Sequence, residues 1–305
     1  MKEIIQKSNC TRNNDVYKKA DHDDRKGYIM GQTGEITSLS NPHIKNIKAL
    51  QNKAALRKKE GLFVVEGLKM FVEAPINIIK SVYVSENLLE DLANNKGFTE
   101  KLRQEALQKL KTVQYTKIGN DVLKSISDTV TPQGIFVICK SFEYSLDKLV
   151  EKSKKQIFLV LDEIKDPGNM GTIIRTAEGA GVTAVIMNSR CVDIFNPKVT
   201  RATMGSIFRV PFIIEETLTN SINFLKEKGV VTYAAHLNGK EYFNEENFNE
   251  SVGIFIGNEA KGLSTSVAEL ADKYIKIPME GQVESLNASV AAAILMYEAK
   301  RKITV

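Results

Sequence analysis

The sequence predicts an α/β protein, an open and mostly parallel sheet preceded by a smaller α/β domain. Three observations carry that expectation. Short apolar runs bounded by Gly, Asn or Pro alternate with amphipathic segments from Ile36 to Arg301. The run IFLVLDEI (157–164) is nearly all apolar, as in a strand buried on both faces of a parallel sheet. The 305 residues are enough chain for two domains of roughly 100–200 residues each.

Residues 1–34 are polar, rich in Asn, Lys and Asp, and without clear periodicity; they read as a flexible leader. Met30 stands just before the first patterned segment and is a candidate start. Ser40-Asn41-Pro42 then opens a helical pattern, with Ile44, Ile47, Leu50 and Ala54 on one face. Lys45, Lys48, Lys53, Arg57, Lys58 and Lys59 crowd the other faces. GLFVVEG (61–67), IKSVYVS (79–85), VQYTKI (113–118) and GIFVICK (134–140) read as strands. Residues 86–111 and 121–126 read as helices. A polar stretch, 142–155, follows as a linker. The domains expected are therefore 35–141 and 156–305.

In the second domain, the strand at 157–164 leads into DPGNMGT as a turn and IIRTAEGAG (173–181) as a helix. Further strands are TAVIMN (183–188), FRVPFII (208–214), VTYAAHL (231–237), VGIFIGN (252–258) and YIKIPM (274–279). A last helix runs from about Asn287 to Arg301.

Composition limits the function. A charged fraction of 26% beside 43% hydrophobic residues excludes wholesale disorder. No apolar run approaches the ~18–20 residues of a membrane span, and the N-terminus lacks the apolar core of a secretory signal. Cys10, Cys139 and Cys191 are odd in number and widely spaced, against a disulfide framework and fitting a reducing cytoplasm. His22, His43 and His236 lie far apart, so no metal site is expected. Net charge is +5, but residues 1–150 hold 24 Lys+Arg against 18 Asp+Glu. The basic excess is all in the first half, as suits an anionic partner.

Ligands of such sheets bind beyond the carboxyl ends of the strands, and three strand exits carry unusual residues. In LDEIKDPGNMGTIIRTAEGAG (161–181), Gly168 and Gly171 permit close approach, and Asn169 and Arg175 are polar among apolar neighbours. In IFIGNEAKGLS (254–264), Asn258 and Glu259 follow a buried strand between two glycines; Ser264 alone would pass as a helix cap. In IPMEGQVESLNASVAAAILMYEAKR (277–301), Ser285, Leu286 and Asn287 open a helix of small residues, with Ser285 an equally plain cap. None is a G-x-G-x-x-G fingerprint, which counts against a nicotinamide-dependent oxidoreductase.

In this order and spacing, the three segments resemble the SpoU (TrmH-type) branch of the SPOUT RNA methyltransferases. Asn169, Gly171 and Arg175 match its first motif; Gly257, Asn258, Glu259, Gly262, Leu263 and Ser264 its second; Ile277, Pro278, Met279, Ser285, Leu286 and Asn287 its third. Ala260 departs from the Gly found in many members. Residues 36–67 with Asp128 and TPQGI (131–135) resemble the family's N-terminal RNA-binding module. The resemblance implies a trefoil knot at the C-terminus, S-adenosylmethionine as cofactor, a homodimer formed through the knotted domain, and methyl transfer to a ribose 2′-hydroxyl of RNA. Ribosomal RNA is favoured over tRNA; a non-catalytic RNA-binding protein of the same fold is the alternative. By motif position, Leu237, Gly257, Asn258, Ile277, Met279 and Leu286 are expected to bind the cofactor. Arg175 is expected to hold RNA phosphate and polarise the hydroxyl, oriented by Asn169 and Glu259, with Ser285 and Asn287 positioning the ribose. Lys45, Lys48, Lys53, Arg57, Lys58 and Lys59 would contact RNA phosphates.

Overall fold

The computed structural model describes residues 34–304 apart from 130, 152, 237–238, 240, 243–249, 281 and 283–284. Most of the expected leader, Met30 and Leu237 thus lie outside the described residues.

The first domain comprises β1 (Glu35–Ile36), α1 (Pro42–Asn52), α2 (Ala54–Glu60), β2 (Leu62–Glu66), α3 (Leu68–Glu73), β3 (Ile79–Ser85), α4 (Glu86–Ala93), α5 (Glu100–Leu110), β4 (Thr116–Ile118), α6 (Asn120–Ile126) and β5 (Ile135–Lys140). Its mixed five-stranded sheet has the order β1-β4-β3-β5-β2. The Asn41 side chain caps α1 by accepting from the His43 amide at 2.9 Å, and Ile44, Ile47 and Leu50 are buried beneath it. Gly61, in the left-handed region, closes α2. The single helix expected over 86–111 is two, because Asn95 and Gly97 both take positive φ and Thr99 caps a new start.

The second domain follows α7 (Leu146–Leu149) with β6 (Ile157–Leu161), α8 (Pro167–Ala180), β7 (Ala184–Asn188), α9 (Pro197–Ala202), β8 (Phe212–Glu215), α10 (Thr219–Glu227), β9 (Val231–Ala235), β10 (Glu241–Tyr242), β11 (Val252–Ile256), α11 (Thr265–Ala268), β12 (Lys273–Lys276) and α12 (Ala288–Thr304). Seven strands run parallel in the order β10-β12-β9-β11-β6-β7-β8. The period-2 alternation of a strand divides β6 between two cores. Ile157, Leu159 and Leu161 face α8 and α12, while Phe158 and Val160 face α10 and α11.

Two local expectations are corrected. DPGNMGT is no simple turn: Asp166 accepts from the Asn169 amide at 2.7 Å and Pro167 fits the first helical position, so α8 starts six residues early. FRVPFII is strand only from Phe212, since a short 3₁₀ turn covers Ser206–Phe208 and Pro211 has no N–H for the ladder.

The expected linker is partly core. Phe142 and Phe195 pack on Phe63 of β2, and Tyr144 and Phe212 pack on those rings in turn, with Phe63–Phe195 centroids 4.5 Å apart and Phe142–Phe212 5.4 Å. One apolar cluster therefore runs through both domains. Ion pairs frame it: Arg209 bonds both Glu73 of α3 and Glu178 of α8. Arg57 is the other, and its assignment as an RNA contact is corrected. Only 5% exposed, it donates to Asp193 at 2.7 Å and to the Leu50 and Gln51 carbonyls at 2.6 and 2.9 Å. Its guanidinium locks the domains together and has no free donor face for RNA.

Asp193→Ala would leave that buried cation unpaired. With Asp193 itself partly open to water, destabilisation is expected at the low end of the range for half-broken buried pairs, about 3 kcal/mol. A urea midpoint equal to wild type would count against this junction as a stabilising element.

Candidate active site

The strand order reverses between β6 and β11, the point at the carboxyl edge of such a sheet where a ligand crevice is expected. Residues 162–166 leave β6 and residues 257–264 leave β11 on its two sides. A carboxylate fixes them. Asp162, 1% exposed, accepts from the Ser264 amide at 2.8 Å, the Ser264 hydroxyl at 2.6 Å and the Asn188 amide group at 2.6 Å. Arg190 lies 3.6 Å away and pairs with Glu163 at 2.6 Å. Three strand exits, of β6, β7 and β11, thus meet on one buried group. Glu163 holds a positive φ of 58°, a strained conformation kept by its N–H donating to Asn188 Oδ1 and its carbonyl accepting from the Asn258 amide group.

The three motifs converge here. Asn287 donates to the Asn169 carbonyl oxygen at 2.9 Å, and Asn169 donates to Glu259 Oε1 at 3.1 Å. Glu259 also accepts from the backbone amides of Asp166 at 3.2 Å and Lys165 at 3.4 Å. Burial opposes ionisation of Glu259, but the bonds from Asn169 and the backbone amides prevail and hold its carboxyl below the usual value of 4.5. Asn287 Oδ1 meanwhile accepts from the Ser289 amide at 2.9 Å and its hydroxyl at 2.7 Å. Asn287, not Ser285, therefore caps α12.

That assignment sets a pH dependence. A carboxyl titrating lower folded than unfolded stabilises the loop above the usual carboxylate range and loses this only as pH falls through the lowered value. Asn169→Ala removes the one side-chain donor from α8, so the Glu259 titration, followed by carboxyl NMR, should move up toward 4.5. An unmoved titration would contradict the role given to Asn169.

Other expected site residues take different places. Asn169 and Glu259 do not orient Arg175 within the chain: their polar groups engage each other and Asn287. Arg175 lies six residues on, about 9 Å along α8 and roughly 120° around it, on the exposed face. Ser285 is exposed, and Ile277, Met279 and Leu286 are half-buried near the crevice rim. Asn258 is a brace: its amide group donates to the Glu163 carbonyl at 2.9 Å, its Oδ1 accepts from Ala260 and Lys261 at 3.0 Å, and its backbone pairs with Gly262. Gly257 is required by the loop itself, since a Cβ there would lie 2.1 Å from the Leu263 amide nitrogen. Gly171 has the same character, with Ala202 Cβ of α9 at 2.3 Å.

Comparison with known proteins agrees with this architecture. A SpoU rRNA Methylase family model matches residues 156–297, and an MRM3-like substrate binding domain matches 41–137. A 23S rRNA (guanosine(2553)-2'-O)-methyltransferase, RlmP, of Bacillus subtilis is 32% identical over 86% of this chain and 98% of its own length. The chain belongs to the SpoU rRNA methylase family. A putative TrmH family tRNA/rRNA methyltransferase of Staphylococcus epidermidis is 34% identical over 74% of the chain and 91% of that protein. The AdoMet-bound rRNA methyltransferase of Sinorhizobium meliloti superposes with a TM-score of 0.75 at 29% identity, covering 88% of this chain and 98% of that one. The fold is that of the SPOUT methyltransferases, and the protein is an S-adenosylmethionine-dependent RNA methyltransferase.

The residues present fit that cofactor. S-adenosylmethionine carries no phosphate, and among the described residues the crevice offers no glycine-rich phosphate loop. Half-buried Ile277, Met279 and Leu286 present apolar surface suited to a purine, and the Gly257–Leu263 turn supplies a narrow wall of backbone. Cys139 and Cys191 are poor nucleophiles. Burial pushes the Cys139 thiol up to about 12 and Cys191 up to about 11, so both stay protonated.

Sequence reasoning missed Asp162, Glu163, Asn188 and Arg190. The signal was present: a polar residue ends each of two otherwise apolar runs, IFLVL-Asp162 and AVIM-Asn188. A buried polar group at a strand end needs a partner, and here the two are each other's.

Proposed function

We propose that this chain methylates a ribose 2′-hydroxyl in ribosomal RNA, acting in the cytoplasm as a homodimer. The observation that carries it is the Asn287–Asn169–Glu259 chain, which ties all three motifs together at the mouth of the crevice. The RlmP relative, named as a 2′-O-methyltransferase of 23S rRNA and aligned over 98% of its length, supports the substrate. So does the first domain, where Lys45, Lys53, Lys58 and Lys59 are exposed and Lys48 half-buried on α1 and α2.

S-adenosylmethionine supplies an activated methyl and a good leaving group, so the protein's task is to place the acceptor in line. The Arg175 guanidinium holds the adjoining phosphate and draws electron density from the hydroxyl, easing loss of its proton. Ser285 and Asn287 position the ribose.

A second copy fits two observations. Arg175 stands apart from the Asn169–Glu259 pair within one chain, and α12 presents Val290 and Tyr297, seven residues apart and 46% and 52% exposed. A trefoil knot in the second domain is part of this reading; supporting it, β11 inserts between β6 and β9 while α12 returns across the sheet to α8.

The test is incubation of the purified protein with methyl-labelled S-adenosylmethionine and unmodified 23S rRNA or tRNA transcripts, followed by mapping of alkali-resistant positions. Label at a 2′-oxygen of 23S rRNA is expected. Label only in tRNA, or on a base, would overturn the reading.

A further inference from the structure

A cavity of about 380 Å³ opens at the junction of the two domains, lined by Asp128, Lys198, Arg201 and Ala202. Asp128 follows α6 in the RNA-binding domain, and the other three lie on α9. This helix is pressed against α8 at Gly171, one turn before Arg175, so the cavity adjoins the helix that carries the reactive-site arginine.

The charges in this cleft are unusual for the junction. Arg57 is spent on Asp193, Arg209 on Glu73 and Glu178, and Arg190 on Glu163. Among the described residues, the side chains of Asp128, Lys198 and Arg201 carry no hydrogen bond or ion pair, although they share one cavity. Arg201 is half-buried and Lys198 exposed, so both cations stay within reach of a ligand entering from solvent. Two unpaired cations call for an anion, and a carboxylate lining the same cavity is out of place in a site for phosphate alone. A nucleotide meets both demands: its phosphate suits Lys198 and the Arg201 fork, and an N–H on its base edge suits a carboxylate acceptor.

We propose that this cleft binds the nucleotide beside the methylated one, with Lys198 and Arg201 on its phosphate and Asp128 reading its base. The proposal rests on the RNA-substrate reading above. It makes the domain junction, rigid through the Phe63–Phe195 stack and the Arg57–Asp193 pair, the place where neighbouring sequence is sensed.

The experiment uses the full chain with the Lys198→Ala/Arg201→Ala double variant, in filter binding to 23S rRNA transcripts over a range of salt. Affinity is expected to fall at least tenfold and the salt slope to shrink by about 0.7, the loss of one neutralised phosphate on a single strand. S-adenosylmethionine binding by calorimetry stays at the wild-type value. Unchanged affinity and slope would overturn the cleft. If the double variant no longer binds cofactor, Lys198→Glu at the exposed position carries the same slope criterion. Asp128→Asn should leave the slope alone and change which nucleotides are methylated; tighter binding with an unaltered pattern would overturn the base-reading role. Wild-type protein that methylates no 23S rRNA overturns the substrate reading and the cleft with it, whereas wild-type turnover with an unaffected double variant overturns the cleft alone.

Discussion

Gly257→Ala is expected to abolish cofactor binding and to destabilise the protein by about 3 kcal/mol, the upper part of the usual overpacking range. The added methyl would fall 2.1 Å from the Leu263 nitrogen, 2.2 Å from the Gly262 carbonyl carbon and 2.4 Å from its oxygen. All three are backbone atoms, so no rotamer change relieves the clash. The turn could open only by giving up the Asn258–Gly262 pair of 2.9 Å bonds and the Ser264 bonds to Asp162. Calorimetric titration with S-adenosylmethionine beside a thermal melt checks this. Gly253→Ala is the control: its nearest neighbour is a Thr232 methyl at 3.3 Å, which can yield, so a much smaller loss is expected. Wild-type cofactor affinity in Gly257→Ala would refute the account of this loop.

Arg175→Ala should lose methylation by at least about a hundredfold, the scale for removing one preorganised electrostatic group, and leave cofactor affinity unchanged. The separation follows from geometry. Arg175 is exposed on α8 and contributes nothing to the Asn287–Asn169–Glu259 chain or to the walls of the crevice. Arg175→Lys keeps the charge but not the planar fork, so only partial recovery is expected. Turnover near wild type in Arg175→Ala would remove this residue from the reaction.

Much of the site was legible because its signals are local. Apolar runs ending in Gly257-Asn258-Glu259 or in Ile277-Pro278-Met279 mark strands and their exits without reference to anything distant. The same local logic failed at Arg57. Its position among five lysines on a basic helical segment looks like a solvated face, and Asp193, 136 residues away, pairs with it at the domain junction beside the Leu50 and Gln51 carbonyls. It failed likewise at 142–155, where polar composition hid Phe142, whose value lies in the ring of Phe212.

The division is physical. Periodicity, caps and glycine punctuation act between residues a few positions apart, so the sequence by itself determined the two α/β domains, the parallel sheet and the three motif segments. Pairing across the fold depends on which strand exits become neighbours. Only the tertiary structure decided that β11 lies against β6, and hence that Asp162 clamps Ser264, that Glu259 bonds Asn169 instead of Arg175, and that Asp128 faces Lys198 and Arg201 across one cleft.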